Sequence, residues 1–147
     1  MTLQRQFWSD ALSDNKMKKH SPGAKRILIV EDEPAITELC RRVLVSEGFE
    51  VDDAGNGSIA ETRLEKQNYD LFLIDIRTPV MNGREFYQSI VKRHPDLVSQ
   101  VIFTTGDLLT GDTRTFLEES GRPFLPKPFS PDELRAAVTQ VLREIGR

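Results

Sequence analysis

The stretch ILIVED at residues 27–32 joins four consecutive apolar residues to two acids, Glu31 and Asp32, and LFLID at residues 71–75 ends in a third acid, Asp75. Short apolar runs rich in β-branched and aromatic residues are typical of strands buried on both faces of a parallel sheet. All three acids therefore fall at the carboxyl ends of predicted strands. Because open α/β sheets bind ligands at that edge, we expect the acids to lie close together there.

Strand and helix patterns alternate five times between Lys25 and the end of the chain. After the first strand, others are predicted at residues 49–53, 71–75, 101–104 and 124–125, and a helical pattern follows each strand. This (βα)5 alternation indicates an α/β fold with a doubly wound parallel sheet, right-handed crossovers and helices on both faces.

The predicted helices differ in how clearly their buried faces and ends are marked. The last helix has the clearest start, because Ser130, Pro131 and Glu133 combine an N-cap, a first-turn proline and a capping-box acid. The third helix should bury Phe86, Ile90 and Val91. The stripes predicted for the first and last helices are Ile36, Leu39, Cys40, Val43 and Leu44, and Leu134, Val138, Val141, Leu142 and Ile145. Cys40, the single cysteine, is thus interpreted as a core residue rather than a nucleophile.

Length and composition limit the class of protein. A chain of 147 residues suggests one domain, and a net charge of −3 gives no electrostatic footprint for direct nucleic-acid binding. No apolar run approaches the ~20 residues of a membrane span, and one cysteine fits a reducing cytoplasm. Residues 1–24 are polar and end near a Ser-Pro-Gly breaker, which predicts a flexible tail or linker before a domain at residues 25–147.

The loop after the first strand favours a cation over a phosphate. Glycine and hydroxyl residues with available N–H groups typically cradle phosphates, whereas Glu31, Asp32 and Glu33 bring negative charge and Pro34 has no N–H. Clustered carboxylates require a compensating charge, and oxygen ligands suit Mg2+. With the ion bound, Asp75 could act as a nucleophile toward phosphorus.

Two further groups are expected at the same edge of the sheet. The fourth strand runs into Thr104 and Thr105, and the fifth leads to Lys127. An ammonium and a hydroxyl there would complement the metal in neutralising the oxygens of a transferred phosphoryl group. Residue types alone leave open which threonine is used.

Five motifs occur in order along the chain: VEDEP at 30–34, Asp75 with Pro79, the Asn-Gly pair at 82–83, Thr-Gly at 105–106, and LPKPF at 125–129. With these motifs the chain resembles the receiver domain of two-component response regulators, from about residue 26 to 146. The resemblance implies a flavodoxin-like sheet with strand order 2-1-3-4-5. It also implies a phosphoacceptor signalling module, which takes a phosphoryl group from a histidine kinase or a histidine phosphotransfer protein.

The family also implies a role for each matching residue. Asp75 is the phosphoacceptor, and Mg2+ is held by Glu31, Asp32, Asp75 and the backbone carbonyl of Arg77. Lys127 matches the lysine of the family's site, and the bond from this lysine to the following proline is typically cis in the family. Thr105, rather than Thr104, matches the switch hydroxyl. Phe124 matches the aromatic residue that rotates on activation.

The chain departs from the family pattern at several positions. Thr78 stands where methionine is frequent, and Phe124 lacks the hydroxyl of the frequent tyrosine. Arg77 is a bulky cation beside the acceptor, and Asp107 follows the switch threonine by two residues. We expect these two opposite charges to pair over the site and modulate the lifetime of the phosphoryl group. Alternatively, Arg77 contacts the phosphoryl oxygens directly. Residues 105–109 and the Pro-Lys-Pro run at 126–128 are similar to receivers attached to hybrid sensor histidine kinases.

Two other functions remain as alternatives. An aspartate-nucleophile phosphatase of the haloacid dehalogenase type would need a second carboxylate two residues after Asp75, where Arg77 stands. A phosphorylation-independent pseudo-receiver scaffold is opposed by the acids and Lys127. We therefore expect no enzymatic turnover beyond self-catalysed phosphorylation and dephosphorylation. The fourth helix, fifth strand and fifth helix, roughly residues 108–145, are predicted to form the surface for a dimer or an effector. The chain is either a stand-alone receiver or part of a longer kinase.

Overall fold

The computed structural model describes residues 23–106 and 110–146. Its strands are β1 Arg26–Val30, β2 Glu50–Ala54, β3 Leu71–Asp75, β4 Val101–Thr105 and β5 Phe124–Pro126. Its α-helices are α1 Pro34–Ser46, α2 Gly57–Lys66, α3 Gly83–Arg93, α4 Gly111–Ser120 and α5 Pro131–Ile145. A 3-10 helix, Pro95–Gln100, lies between α3 and β4. The predicted tail at residues 1–24 falls almost entirely outside the described residues, as does Asp107.

All five strands are parallel and are arranged in the order β2-β1-β3-β4-β5. The predicted fold class and strand order are therefore confirmed. Successive strand residues face opposite sides, so the sheet separates two apolar cores. One core joins the sheet to α2, α3 and α4, and includes Phe72, Phe86 and Phe103. The other joins it to α1 and α5, and includes Cys40 and Leu134. Cys40 is buried, as predicted.

Local signals in the sequence fix the helix ends nearest the carboxyl edge of the sheet. Ser130 accepts a hydrogen bond from the Glu133 N–H at 3.1 Å, and the Glu133 carboxylate accepts from the Ser130 N–H at 2.8 Å. Asn82 and Glu85 form the same reciprocal capping box at the start of α3. Both helices therefore begin at defined residues directly after loops that border the site.

Several apolar residues predicted to be buried are instead exposed. Leu39 is 37% exposed, Val91 46% and Ile145 38%. In α3 the buried face consists of Phe86, Tyr87 and Ile90, and Val91 lies one position beyond it, about 100° around the helix. The apolar stripes of these helices are therefore narrower than the sequence pattern suggests.

Strand β2 forms one edge of the sheet and begins one residue later than predicted. Its even-numbered residues bond to β1, as the Glu31 N–H to Ala54 carbonyl bond of 2.9 Å shows, so the carbonyls of Val51 and Asp53 point outward. Arg41 of α1 donates to the Val51 carbonyl at 3.0 Å, and Arg63 of α2 donates to the Asp53 carbonyl at 2.8 Å. Two arginines thus cover acceptors that an edge strand ordinarily leaves open.

Within residues 23–106 and 110–146, no helix has both the length and the apolar content needed to cross a membrane.

Candidate functional site

The ends of β1 and β3 bring three carboxylates together. Glu31, Asp32 and Asp75 each offer an oxygen, and these oxygens all lie within 4.8 Å of one another. Glu31 and Asp75 are buried, whereas Asp32 is exposed. Three oxygen donors with one open side fit a hard divalent cation such as Mg2+, which keeps some of its water ligands. The donor set of this chain therefore suits the metal that the sequence predicts.

Lys127 is the cation that balances these acids. Its Nζ atom lies 3.0 Å from Glu31 Oε1, 3.1 Å from Asp75 Oδ2 and 3.4 Å from Glu33 Oε1. Burial lowers the pKa of Lys127, but the hydrogen bond to Glu31 and the negative charges of Asp75 and Glu31 outweigh it and raise the pKa above its ordinary value. The ammonium therefore stays protonated in the neutral pH range.

The protonation of Glu31 is set by burial. Its pKa is raised from 4.5 to about 7, first by burial and then by the charge of Asp75, while Lys127 acts in the opposite direction. Among the described residues, Lys127 supplies the ammonium that these three acids share, so a further positive charge at this place would favour the ionised form. A divalent cation is such a charge.

Glu33 was predicted only to add negative charge to this loop, and its contact with Lys127 was not predicted from the sequence. It is the N-cap of α1, and its N–H donates to Glu31 Oε2 at 3.1 Å. Its exposed carboxylate reaches Lys127, 94 positions away in sequence. The VEDEP motif contains this third acid, so the only signal for it was its place beside the acid pair.

The loop after Asp75 folds back onto the end of β3. Gly83 donates to the carbonyl of Ile76 at 3.0 Å, and a Cβ at this position would collide with the carbonyl group of Asp75 and lie 2.7 Å from Ile74 Cγ2. Glycine at position 83 is therefore a steric requirement of the site. Only a residue without a side chain lets α3 begin this close to the end of β3.

A strained turn completes this loop. Val80 has a φ of 66° and is 84% exposed, a conformation that β-branched residues rarely adopt. Pro79 followed by a residue of positive φ is the signature of a type II turn. Thr78 bridges the turn, because its hydroxyl donates to the carbonyl of Met81 at 3.2 Å, and that carbonyl also accepts from Gly57 N–H at 2.7 Å. Thr78 thus ties the loop to itself.

The two threonines at the end of β4 occupy different environments. Both are 2% exposed, but adjacent strand residues point to opposite faces. The backbone carbonyl of Thr105 accepts from the Lys127 N–H at 2.8 Å. Thr104 is the register partner of Asp75 and lies on the same face of the sheet. No atom of the described residues pairs with its buried hydroxyl.

Phe124 and Arg77 occupy the surface around the site. Phe124 is 42% exposed and lines a pocket of about 210 Å3 between α4 and β5. This pocket is also lined by Arg114, Leu117 and Glu118. Arg77 has an exposed side chain, and its backbone N–H donates to Asp75 Oδ1 at 3.1 Å. Its expected partner Asp107 lies outside the described residues, so the ion pair stays a prediction.

The bond between Lys127 and Pro128 is cis, as the resemblance implied. It follows the lysine directly, at the point where the chain leaves β5. The residues beyond it, Pro128 and Phe129, line a groove with Ile36, Leu39 and Lys127 beside the acid cluster.

Comparison with known proteins decides the family, because residues 27–139 match the response regulator receiver domain. The chain belongs to this family. TrcR, a transcriptional regulatory protein of Mycobacterium tuberculosis, is 33% identical over 118 residues, which cover 80% of this chain and 45% of TrcR. The receiver chain therefore spans less than half the length of that relative.

Solved receivers have the same fold. The signal receiver domain of a histidine kinase from Syntrophus aciditrophicus is 30% identical with a TM-score of 0.76, over 84% of this chain and 94% of that one. The response regulator TrrA from Thermotoga maritima, in complex with Mg2+ and BeF, is 35% identical with a TM-score of 0.68, over 80% and 98% of the two chains. The predicted receiver family is thus confirmed, while the likeness to hybrid kinases in particular stays a prediction.

Proposed function

We propose that this receiver accepts a phosphoryl group on Asp75 from a histidine of a kinase or phosphotransfer protein, and that the modification changes its affinity for a partner. One observation supports this most strongly: the Lys127 ammonium lies 3.1 Å from Asp75 Oδ2 at the place where Glu31, Asp32 and Asp75 converge. A carboxylate flanked by a fixed cation and by two further acids is suited to phosphoryl transfer with a divalent metal.

The transfer is a nucleophilic substitution at phosphorus. An oxygen of the Asp75 carboxylate attacks phosphorus, the N–P bond of the phosphohistidine breaks, and the imidazole nitrogen leaves with the electron pair. Mg2+, held by Glu31, Asp32, Asp75 and the carbonyl of Arg77, would supply charge neutralisation for the phosphoryl oxygens. Lys127 is already in place to bind another of these oxygens.

The response to phosphorylation is proposed to pass through the end of β4. Thr105 is the hydroxyl assigned to follow the phosphoryl group, and Phe124 is the aromatic residue assigned to respond to it. Phe124 opens onto the pocket between α4 and β5, which makes the surface of α4, β5 and α5 our candidate for a dimer or effector contact. A partner that favours the phosphorylated conformation is then bound more tightly after transfer.

Two alternative functions fit the site less well. A phosphorylation-independent scaffold would leave the clustered acids and Lys127 without a role. A phosphatase of the haloacid dehalogenase type lacks its general acid, since the residue two positions after Asp75 is Arg77. We propose that the chain shows no turnover of a small phosphomonoester such as p-nitrophenyl phosphate.

The net charge of −3 also supports a role in which this chain itself makes no direct contact with nucleic acid, and we place it in the cytoplasm.

The test is phosphorylation by acetyl phosphate with Mg2+. Intact-mass analysis should show the addition of one phosphoryl group, and peptide analysis should locate it on Asp75. The variant Asp75→Asn should remain unlabelled, EDTA should abolish labelling, and Asp96→Asn, an exposed aspartate of the 3-10 helix, is the matched control that should label like the wild type. Undiminished labelling of Asp75→Asn would overturn the proposal.

A further inference from the structure

Thr104 has a buried hydroxyl that no atom of the described residues pairs with. The side chain is 2% exposed and its Oγ1 atom is sealed from solvent. Leaving a buried polar group unpaired is costly, and valine has the same shape without the hydroxyl. An unpaired group of this kind in a folded protein calls for an explanation, and the position of Thr104 beside the acceptor strand suggests one.

Thr104 lies on the face of the sheet that the Lys127 side chain follows on its way to Asp75. It is the register partner of Asp75 on β3 and of Leu125 on β5, so its side chain shares one face of the sheet with both. Lys127 starts two residues after Leu125 and ends at Asp75, so it must cross β4 on this face. A Cβ on Gly106 would lie 4.0 Å from Lys127 Cδ, so the lysine stem passes the first residue after β4, two positions beyond Thr104.

The three N–H groups of Lys127 are all directed at carboxylates. They face Glu31, Asp75 and Glu33, at 3.0, 3.1 and 3.4 Å. If Glu31 and Asp75 serve a metal and a phosphoryl group, they are no longer available to the ammonium in the same way. One phosphoryl oxygen replaces one acceptor, and the ammonium then needs another oxygen close to its stem.

We propose that the Thr104 hydroxyl is the acceptor that receives this N–H in the phosphorylated state. Thr104 is then a positioning residue: it holds the Lys127 ammonium against the phosphoryl group without touching that group itself. The inference rests on the proposed function, since it requires Asp75 to be the phosphoacceptor. Its hydroxyl is unpaired before loading and paired afterwards, so loading gains a hydrogen bond and removes an unpaired buried group.

Two substitutions separate the hydroxyl from the shape of the side chain. Thr104→Val keeps the shape and removes the oxygen, and Thr104→Ser keeps the oxygen and removes a buried methyl group. In EDTA, the melting temperature of Thr104→Val should rise by roughly 3 to 8 °C, because an unpaired buried hydroxyl has been removed. That of Thr104→Ser should fall, because it loses apolar packing.

The affinity for beryllofluoride, which stands in for the phosphoryl group, should change in the opposite direction to the melting temperature. In a calorimetric titration with beryllofluoride at saturating Mg2+, the midpoint for Thr104→Val should shift roughly two-fold to ten-fold toward weaker binding, the factor that one hydrogen bond typically supplies. The midpoint for Thr104→Ser should stay at the wild-type value. Thr104→Val would then be more stable than the wild type but bind beryllofluoride more weakly, and Thr104→Ser would be less stable but bind it normally. A purely structural role of Thr104 does not produce this pattern.

Each contrary result has a distinct meaning. A Thr104→Val melting temperature at or below that of the wild type would show that the hydroxyl is paired in the unloaded protein, and would overturn the inference. Equal loading of Thr104→Val and the wild type, or equal weakening by both substitutions, would overturn it while leaving the proposed function intact. If the wild type takes up neither a phosphoryl group nor beryllofluoride, the proposed function fails and this inference fails with it.

Discussion

Replacing Glu31 with glutamine should remove a pH dependence of stability from the metal-free protein. Burial raises the pKa of Glu31 from 4.5 to about 7, so between these pH values the folded chain binds a proton that the unfolded chain releases. Wild-type stability should therefore fall as pH rises through this window. At about 1.4 kcal/mol per pH unit, the interval corresponds to at most about 3 kcal/mol.

Glutamine keeps the size of the side chain and an oxygen for Lys127 but carries no proton to lose. The stability of Glu31→Gln minus that of the wild type should therefore rise from pH 4.5 and level off above pH 7, gaining up to about 3 kcal/mol. Urea unfolding in EDTA at several pH values between 4.5 and 8 measures this difference. Glu65→Gln, which removes an exposed carboxylate of α2, controls for the change in net charge.

A difference between Glu31→Gln and the wild type that stays constant across the pH range would refute the reasoning. It would show that the Lys127 contact at 3.0 Å compensates burial fully. Mg2+ binding provides a second measurement, because the ion should displace the Glu31 proton. The apparent affinity of the wild type for Mg2+ should therefore weaken as pH falls below about 7, and that of Glu31→Gln should vary less with pH.

Two further predictions concern the rim of the site. Gly83→Ala should lower the free energy of unfolding, measured in urea, by about 3 kcal/mol, since its Cβ meets backbone atoms of Asp75. The control is Gly111→Ala, where nothing lies within 4 Å of the added Cβ, and its stability should be unchanged or rise by up to ~1 kcal/mol. Equal effects of the two substitutions would contradict the steric argument. Arg77→Ala should lose its phosphoryl group roughly 1.4- to 5-fold faster, the factor that corresponds to an exposed ion pair of about 0.2 to 1 kcal/mol. Asp107→Ala should do the same, and additive effects in the double variant, measured by the decay of the phosphorylated mass, would exclude the pair.

The features that sequence predicts well here are those fixed by burial and by local hydrogen bonding. The runs at 27–30 and 71–74 are apolar on both faces, as is typical of buried parallel strands, and the residues that follow them place Glu31, Asp32 and Asp75 at one edge. The start of α5 follows from the Ser130 capping box, which involves residues only three positions apart.

Features that depend on where long side chains end were not predictable in the same way. The contact of Glu33 with Lys127 joins residues 94 positions apart and depends on the rotamers of two flexible side chains. The exposure of Leu39 depends on how α1 packs against its neighbours, which its own periodicity does not report. The unpaired hydroxyl of Thr104 is visible only when every surrounding atom is in place, since sequence describes it simply as a β-branched strand residue.

Arg41 and Arg63 protect the edge strand β2 from pairing with another copy of the domain at high concentration. A sheet propagates from one molecule to the next by pairing at its open edge, and at β2 that pairing would first have to displace both guanidinium groups from the carbonyls of Val51 and Asp53. The opposite edge, β5, has only three residues and ends in a proline, which has no N–H to donate. Neighbouring copies in a dense array would therefore meet through helices or loops, and a high local concentration would not by itself convert this domain into fibrils.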